Sequence, residues 1–308
     1  MSEQREKNPI QPRKPEASER FTNQIMSQFQ AEAGSPVQFT AYERALAQHL
    51  FLKVDSCLKE FEKKRRESGK ESQAPFIWQN VNMRKLALDA VHRIQLGLDA
   101  LIPAHIYPIP YFNGKEKLYD IDLRVGYRGE LYYRTESAVE KPQDVRLELV
   151  YSSDEFSPMM KSHDNNVEDY TFKIVNPFNR GNIIGGFAYI SYKDPQKNKL
   201  VLVSEADFKK SCQAAKSQDF WSKYPAEMRY KTLVHRAMSH LPIDPKKVNA
   251  PAFAAVESDS VEAEIDRNAN GEAIVVEDFE ERQEQMDNPE APQGGPEAVQ
   301  DAPREPDF

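Results

Sequence analysis

Val125-Gly126-Tyr127-Arg128-Gly129 sets an aromatic and a cation between two glycines. Glycine lets a backbone adopt positive φ or approach a partner closely, a tyrosine ring offers a stacking face, and a guanidinium can grip a phosphate bidentately. A hairpin or bulge with a packed tyrosine and a surface arginine would use the same residues. Related chemistry recurs in residues 221–241, WSKYPAEMRYKTLVHRAMSHL. At about 100° per residue, Ala226, Tyr230, Leu233, Val234, Ala237, Met238 and Leu241 share an apolar arc. The opposite arc carries Arg229, Lys231, Thr232, His235, Arg236 and His240, with Met228 and Ser239 among them and Glu227 at the edge. Pro225 suits a first helical turn and Pro242 stops the helix. Such a face is either a solvated basic surface or a phosphate-binding one. Aromatics and cations also interleave on the expected strands, at Tyr111, Tyr119, Arg124, Tyr132, Tyr133, Arg134, Tyr189, Tyr192 and Lys193. A cationic track with aromatic platforms is how single-strand binders without sequence preference hold nucleic acid, each stacked base contributing about 1–3 kcal/mol.

Other chemistries find less support. Asp120, Asp122, Asp154 and Glu155 have the donor type for a Mg²⁺-dependent nuclease, but they fall on alternating strand positions or in a loop, without an accompanying lysine motif. Six histidines show no zinc spacing, and His235 and His240 diverge by about 140° around a helix. No phosphate-binding glycine loop or nucleophile elbow occurs. Cys57 and Cys212 sit on apolar helical stripes and read as small core residues of a reducing compartment.

The elements that must position these residues are legible in outline. Residues 249–308 hold 17 Asp/Glu against 3 Arg, a net of −14, which leaves 38 Lys/Arg against 32 Asp/Glu, or +6, in residues 1–248. A mildly basic body with an acidic tail points to a polyanion partner and a tail able to compete with it. Neither an apolar signal core nor a run of eighteen apolar residues is present, so a soluble, cytoplasmic protein is expected. The polar composition of residues 1–38 predicts a mostly disordered arm in which only 21–29 hints at a short helix that docks on a neighbour. Residues 39–248 read as one domain and 249–308 as a disordered acidic tail.

Within the domain, Thr40 caps a helix whose face holds Tyr42, Leu46, Leu50, Val54, Cys57, Leu58 and Phe61 and whose end is Lys63-Lys64-Arg65-Arg66, a dipole complement or an accessory nucleic-acid contact. A second helix with Met83, Ala87, Ala90, Val91, Ile94, Leu98 and Leu101 is stopped by Pro103. Alternating segments at 105–111, 117–125, 144–151, 170–175, 184–193 and 199–203, with Asn113-Gly114 as a turn, predict antiparallel hairpins. Ser204 and Asp207 form a capping box for a short helix to residue 216. The class is α+β, an antiparallel sheet with packed helices.

Several pieces then resemble, in order, the RecT family of phage and prophage single-strand annealing recombinases. They are Gln95-Leu96-Gly97-Leu98, Gly126-Tyr127-Arg128-Gly129, Asp154-Glu155-Phe156, Gly186-Phe187-Ala188-Tyr189 and the run from Trp221 through Tyr224-Pro225, Glu227-Met228 and Lys231-Thr232 to Arg236. The resemblance spans roughly residues 40–245 and departs after Gly129, where this chain has Glu130 and Tyr132-Tyr133-Arg134. It implies a β-β-β-α core, binding of single-stranded DNA and its annealed duplex, ATP-independent annealing, and homo-oligomeric rings or helical filaments. It also implies an exonuclease partner, a host single-stranded DNA-binding protein nearby, and Mg²⁺ as a modulator rather than a required cofactor. By position, Tyr127 and Arg128 would lie beside DNA, Lys231 and Arg236 would contact phosphates, and Trp221 would position the last helix. Arg124, Lys193, Arg229 and Thr232 complete the candidate DNA-binding set.

The alternatives are a Mg²⁺-dependent nuclease using Asp120 and Asp122, or an oligomeric scaffold without DNA chemistry. The tail is expected to occupy the basic groove, and its tip, Glu305-Pro306-Asp307-Phe308, resembles the acidic, Phe-ended tip by which bacterial single-stranded DNA-binding proteins recruit partners.

Overall fold

The structure is a computed structural model that describes residues 16–33, 39–70, 72–215 and 219–257. All of these belong to one compact unit. The fold is α+β with antiparallel sheets. Its helices are α1 (Ala17–Ala33), α2 (Ala41–Glu67), α3 (Met83–Gln95), α4 (Tyr127–Ser137), α5 (Glu205–Ala214), α6 (Asp219–Lys223), α7 (Pro225–Ser239) and α8 (Ala250–Glu257). Strands β1 (Ile106–Asn113) and β2 (Leu118–Val125) form one hairpin, and β4 (Glu155–Met159) and β5 (Asp169–Lys173) another. A three-stranded sheet is built from β3 (Asp144–Tyr151), β6 (Ile183–Ser191) and β7 (Lys199–Ser204) in the order β3-β6-β7.

This sheet with α7 is the part of the fold that matters most for the site. Leu233, Val234, Ala237 and Met238 of α7 pack on Leu149, Ala188, Ile190, Val201 and Val203. The other face is closed by the β4–β5 hairpin, whose Phe156 stacks on Phe187 at 4.6 Å and 12°. Strand alternation therefore sends odd residues of β3 towards α7 and Val150 towards the hairpin, so one sheet serves two hydrophobic clusters. β4 is not among the strands expected from sequence, because it is five residues long and contains Pro158. Proline is tolerated there since β4 pairs with β5 on one side only.

Helix ends follow local chemistry. Thr40 and Glu43 make a reciprocal capping box on α2, and Ser204 and Asp207 make one on α5. The basic end of α2 is laced to acids of the same helix: Lys64 to Glu60 at 2.8 Å, and Arg65 and Arg66 to Glu62 at 2.8 and 2.7 Å. Tyr42, expected on the buried stripe, is exposed, with its hydroxyl 3.4 Å from the Gly97 carbonyl. Pro103 does not stop α3. The helix ends at Gln95, where Gly97 takes φ 70° and Leu98 N–H donates to the Arg93 carbonyl at 3.0 Å. A left-handed glycine satisfies the last carbonyls and turns the chain, so Leu101 lies beyond the helix and is exposed.

Tertiary contact orders two segments that local propensity leaves undecided. The short helix expected at 21–29 is the longer α1, and it docks on its own chain, with Phe21 and Ile25 fully buried and Phe21 edge-on to Trp78 at 5.8 Å. α8 lies in the segment expected to be an unfolded tail. Ala252 and Val256 are buried there, and Glu257 pairs with Arg134 and accepts the Tyr133 hydroxyl at 2.5 Å. Eight residues cannot sustain a helix alone; packing sustains this one. The expectations for residues 1–15, 34–38 and 258–308, including the tail tip, lie outside the described residues. No described helix is long and apolar enough to cross a membrane.

Candidate nucleic-acid interface

The Gly-Tyr-Arg-Gly segment is not a turn between strands. It opens α4, with Gly126 as N-cap, so Tyr132, Tyr133 and Arg134 are helical rather than on a strand. Both glycines serve close approach. A Cβ on Gly126 would lie 2.3 Å from the Ala104 carbonyl oxygen and 2.6 Å from the Tyr107 ring, and one on Gly129 would lie 2.6 Å from the His105 carbonyl oxygen. Gly126 and Gly129 N–H groups donate to the carbonyls of His105 and Ala104 at 3.0 and 3.1 Å. The start of α4 is thus clamped to the turn that leads into β1.

That clamp gathers a patch. Tyr107, exposed on β1, is the register partner of Arg124 on β2 and lies over Gly126. Tyr127 meets Tyr230 of α7 edge to face at 5.7 Å, and the Arg128 guanidinium stands 6.0 Å from the Tyr127 ring. Arg128 is exposed, and its charge acts on His105, Tyr107 and Tyr230. Burial raises the Tyr107 and Tyr230 hydroxyls above the ordinary tyrosine range, and Arg128 opposes that rise. Arg124, Tyr127 and Arg128 are therefore brought together, joined by Tyr107, which sequence reasoning passed over. Its signal was register: Tyr107 faces Arg124 only once the Asn113-Gly114 hairpin is closed.

α7 does not present one basic face. α4 runs alongside it in the same direction, matching Tyr127 with Tyr230, Glu130 with His235 and Arg134 with the Met238 carbonyl. His235, expected on the polar arc, is buried, with Nδ1 2.8 Å from Glu130 Oε1. Lys231 is exposed on the α4 side. Arg236, five residues on and about 140° around the helix, faces Asp207, His240 and β7 across a cleft of about 130 Å³. The polar arc expected to carry Lys231 and Arg236 together thus divides into two flanks. Arg229 donates to the Pro225 carbonyl at 3.1 Å, and the half-buried Thr232 hydroxyl donates to the Met228 carbonyl at 3.0 Å. Trp221 is 8% exposed and belongs to the core beneath α7. Lys193 is exposed in the β6–β7 turn, which the Lys197–Glu140 pair at 2.6 Å ties to the chain after α4. It therefore stands at the far end of α4 from Tyr127, across 11 residues or about 16 Å of helix.

The family model for the RecT family matches residues 60–286, most of the chain. This protein belongs to the RecT family. Membership places it among the single-strand annealing proteins of DNA recombination, which bind single-stranded DNA and oligomerise. No curated protein matches it.

The RecT-like motifs divide by role. Gly97 ends α3, and Gly126-Tyr127-Arg128-Gly129 builds the patch. Asp154 has a fully buried side chain held by Arg180 at 2.5 Å, whose guanidinium lies 4.1 Å from the Tyr151 ring. That contact braces the loop into β4. The carboxylates weighed for a metal do not converge: Asp120 pairs with Lys85 at 3.2 Å, Asp122 with Arg124 at 3.0 Å and Glu155 with Lys173 at 3.6 Å. Cys57 donates to the Pro108 carbonyl at 3.3 Å, and burial pushes its thiol up to about 11, which suits a packed residue rather than a nucleophile.

Proposed function

We propose that this RecT-family chain binds single-stranded DNA and anneals complementary strands without ATP, acting as a ring or helical filament. Arg124, Arg128 and Lys231 hold phosphates around the start of α4 and the middle of α7, with Tyr127 and Tyr107 as the aromatic floor. Arg236, Arg229 and Lys193 supply outlying phosphate contacts, Thr232 lines the wall, and Trp221 fixes the corner into α7. The observation that carries this reading is the convergence of two exposed arginines and two tyrosines on one clamped backbone corner.

Annealing requires that each strand's charge be neutralised while its base edges stay open for pairing. A shallow patch with phosphate grips and partial stacking meets both needs, and repetition along an oligomer multiplies weak contacts through effective concentration. Mg²⁺ modulates DNA binding without being required. A recombination exonuclease supplies the strand, and a host single-stranded DNA-binding protein competes for it.

The test mixes complementary labelled oligonucleotides with the protein, with and without ATP and Mg²⁺. Faster annealing without ATP and without shortening of the strands is expected. Mg²⁺-dependent shortening would replace this reading with a nuclease, and unchanged annealing with a scaffold. Electron micrographs without DNA, with one strand and with both added in turn give the assembly.

A further inference from the structure

We infer that Phe220 and Tyr224 form a base-stacking platform for single-stranded DNA at the entry to α7. The inference rests on the single-strand-binding reading above and adds to that interface Phe220, which precedes the family-like run, and Tyr224, which lies within it, neither of them among the candidate DNA-binding residues. One turn of α6 sends Trp221 inward, 8% exposed, and leaves Phe220 and Tyr224 on the outside, 57% and 43% exposed. Their rings lie 28° apart in plane with centroids separated by 6.4 Å. Backbone bonds fix the pair: Tyr224 N–H donates to the Phe220 carbonyl at 2.8 Å, and Met228 N–H to the Tyr224 carbonyl at 3.1 Å. The platform is thereby built into the start of α7 rather than hung on a loose loop.

Single exposed apolar residues need no explanation, but two neighbouring rings with a cation on one of them are a recognition surface. The Lys223 ammonium is 5.4 Å from the Tyr224 centroid, within cation–π reach. Residues 219–231 carry three cations, Lys223, Arg229 and Lys231, against Asp219 and Glu227, which suits an anionic occupant, and the two exposed rings suit one that carries flat bases, a single strand of DNA. Tyr224 is six residues before Tyr230, about 9 Å along the helix. The rings therefore lie by the N-terminal half of α7, as the Tyr127–Arg128 patch does, on a flank about 120° around the helix from Tyr230.

Fluorescence anisotropy of the full chain tests this with oligothymidylate and an abasic oligonucleotide of equal length. Phe220→Ala and Tyr224→Ala should each weaken oligothymidylate binding by about fivefold or more, with an unchanged salt slope, because no phosphate contact is removed. The wild type should prefer oligothymidylate over the abasic strand more strongly than the double variant does. Phe220→Tyr and Tyr224→Phe should bind as the wild type does. If the alanine variants are poorly folded, Phe220→Leu with Tyr224→Leu keeps the apolar bulk while removing the π faces, and the same losses are expected. A folded double variant with wild-type affinity overturns the inference and leaves the parent reading standing; a wild type that binds no single strand overturns both. Loss of self-association at unchanged affinity per subunit would show that the rings meet another copy instead, and would also overturn it.

Discussion

Replacing Gly126 by alanine is the sharpest test of how the patch is built. The new Cβ would meet the Ala104 carbonyl oxygen at 2.3 Å, the Tyr107 ring at 2.6 Å and the Ala104 carbonyl carbon at 2.8 Å. Two of these atoms are backbone, so relief requires moving α4 away from residue 104. φ at Gly126 is −86°, which alanine adopts freely, so the cost is steric rather than conformational. Overpacking of this kind costs about 1–3 kcal/mol. Loss of the Gly126 N–H bond to the His105 carbonyl, 3.0 Å in the wild type, adds about 1 kcal/mol. The expected destabilisation is therefore about 2–4 kcal/mol, read as a shift in urea midpoint at constant slope. Gly114 is the control, since a Cβ there would have no neighbour within 4 Å and Gly114→Ala should change stability by less than about 0.5 kcal/mol. Displacing α4 also displaces Arg128, so single-strand affinity should fall in conditions where Gly126→Ala remains folded. Equal stability of the two variants would refute the clamp, and a destabilised Gly126→Ala with wild-type affinity would remove Arg128 from the interface.

Lys231→Ala should lower the salt slope of single-strand binding by about 0.7, the release expected for one phosphate contact; a double-mutant cycle should couple it to Arg128→Ala more strongly than to Arg236→Ala, which sits on the other flank of α7. Ending the chain after Glu257 should tighten single-strand binding if the acidic segment competes for the basic patch, whereas ending it after Asn249 should also destabilise the fold. That second loss should fall below the about 3–5 kcal/mol of a broken buried pair, because Arg134 keeps Glu130 at 3.7 Å and the Met238 carbonyl at 3.1 Å; equal melting temperatures for the two truncations would show that α8 contributes nothing. Glu62 is held down to about 2 from an ordinary 4.5, first by hydrogen bonding from Arg65 and then by Arg66 and the Phe76 N–H. A depressed carboxylate stabilises the fold above its unfolded value and loses that contribution as pH falls through its folded one. The melting-temperature gap between wild type and Glu62→Gln should therefore be full above about pH 4.5 and close towards pH 2; a gap constant across that window would show that the carboxylate's charge is not what holds the end of α2.

Local chemistry made much of this protein legible. Capping pairs at Thr40–Glu43 and Ser204–Asp207, the 3.6-residue stripes of α2, α3 and α7, and the two-residue alternation of β2, β3 and β7 depend on neighbours in sequence, so periodicity and side-chain type sufficed. The same holds for the apolar arc of α7, whose Leu233, Val234, Ala237 and Met238 are all fully buried. The candidate residues Arg124, Tyr127 and Arg128 were likewise marked by type, because stacking rings and phosphate-gripping cations differ from ordinary core composition.

What sequence could not decide depended on partners far along the chain. Tyr127–Ser137 reads weakly as a helix, and its glycines mean little until the carbonyls of Ala104 and His105 are seen beside them. His235 looks like a surface base until Glu130 arrives from α4, and Phe253 and Val256 look like part of a tail until Arg134 and Tyr133 meet Glu257. A helical wheel gives the angle of each residue but not which angles neighbouring elements cover. α4 and α5 flank α7, and that placement sets Lys231 and Arg236, already about 140° apart around the helix, beside different neighbours. Residue type and spacing marked which side chains could do the chemistry; long-range packing decided which of them share a surface, because burial and register are properties of elements brought together, not of the segments that form them.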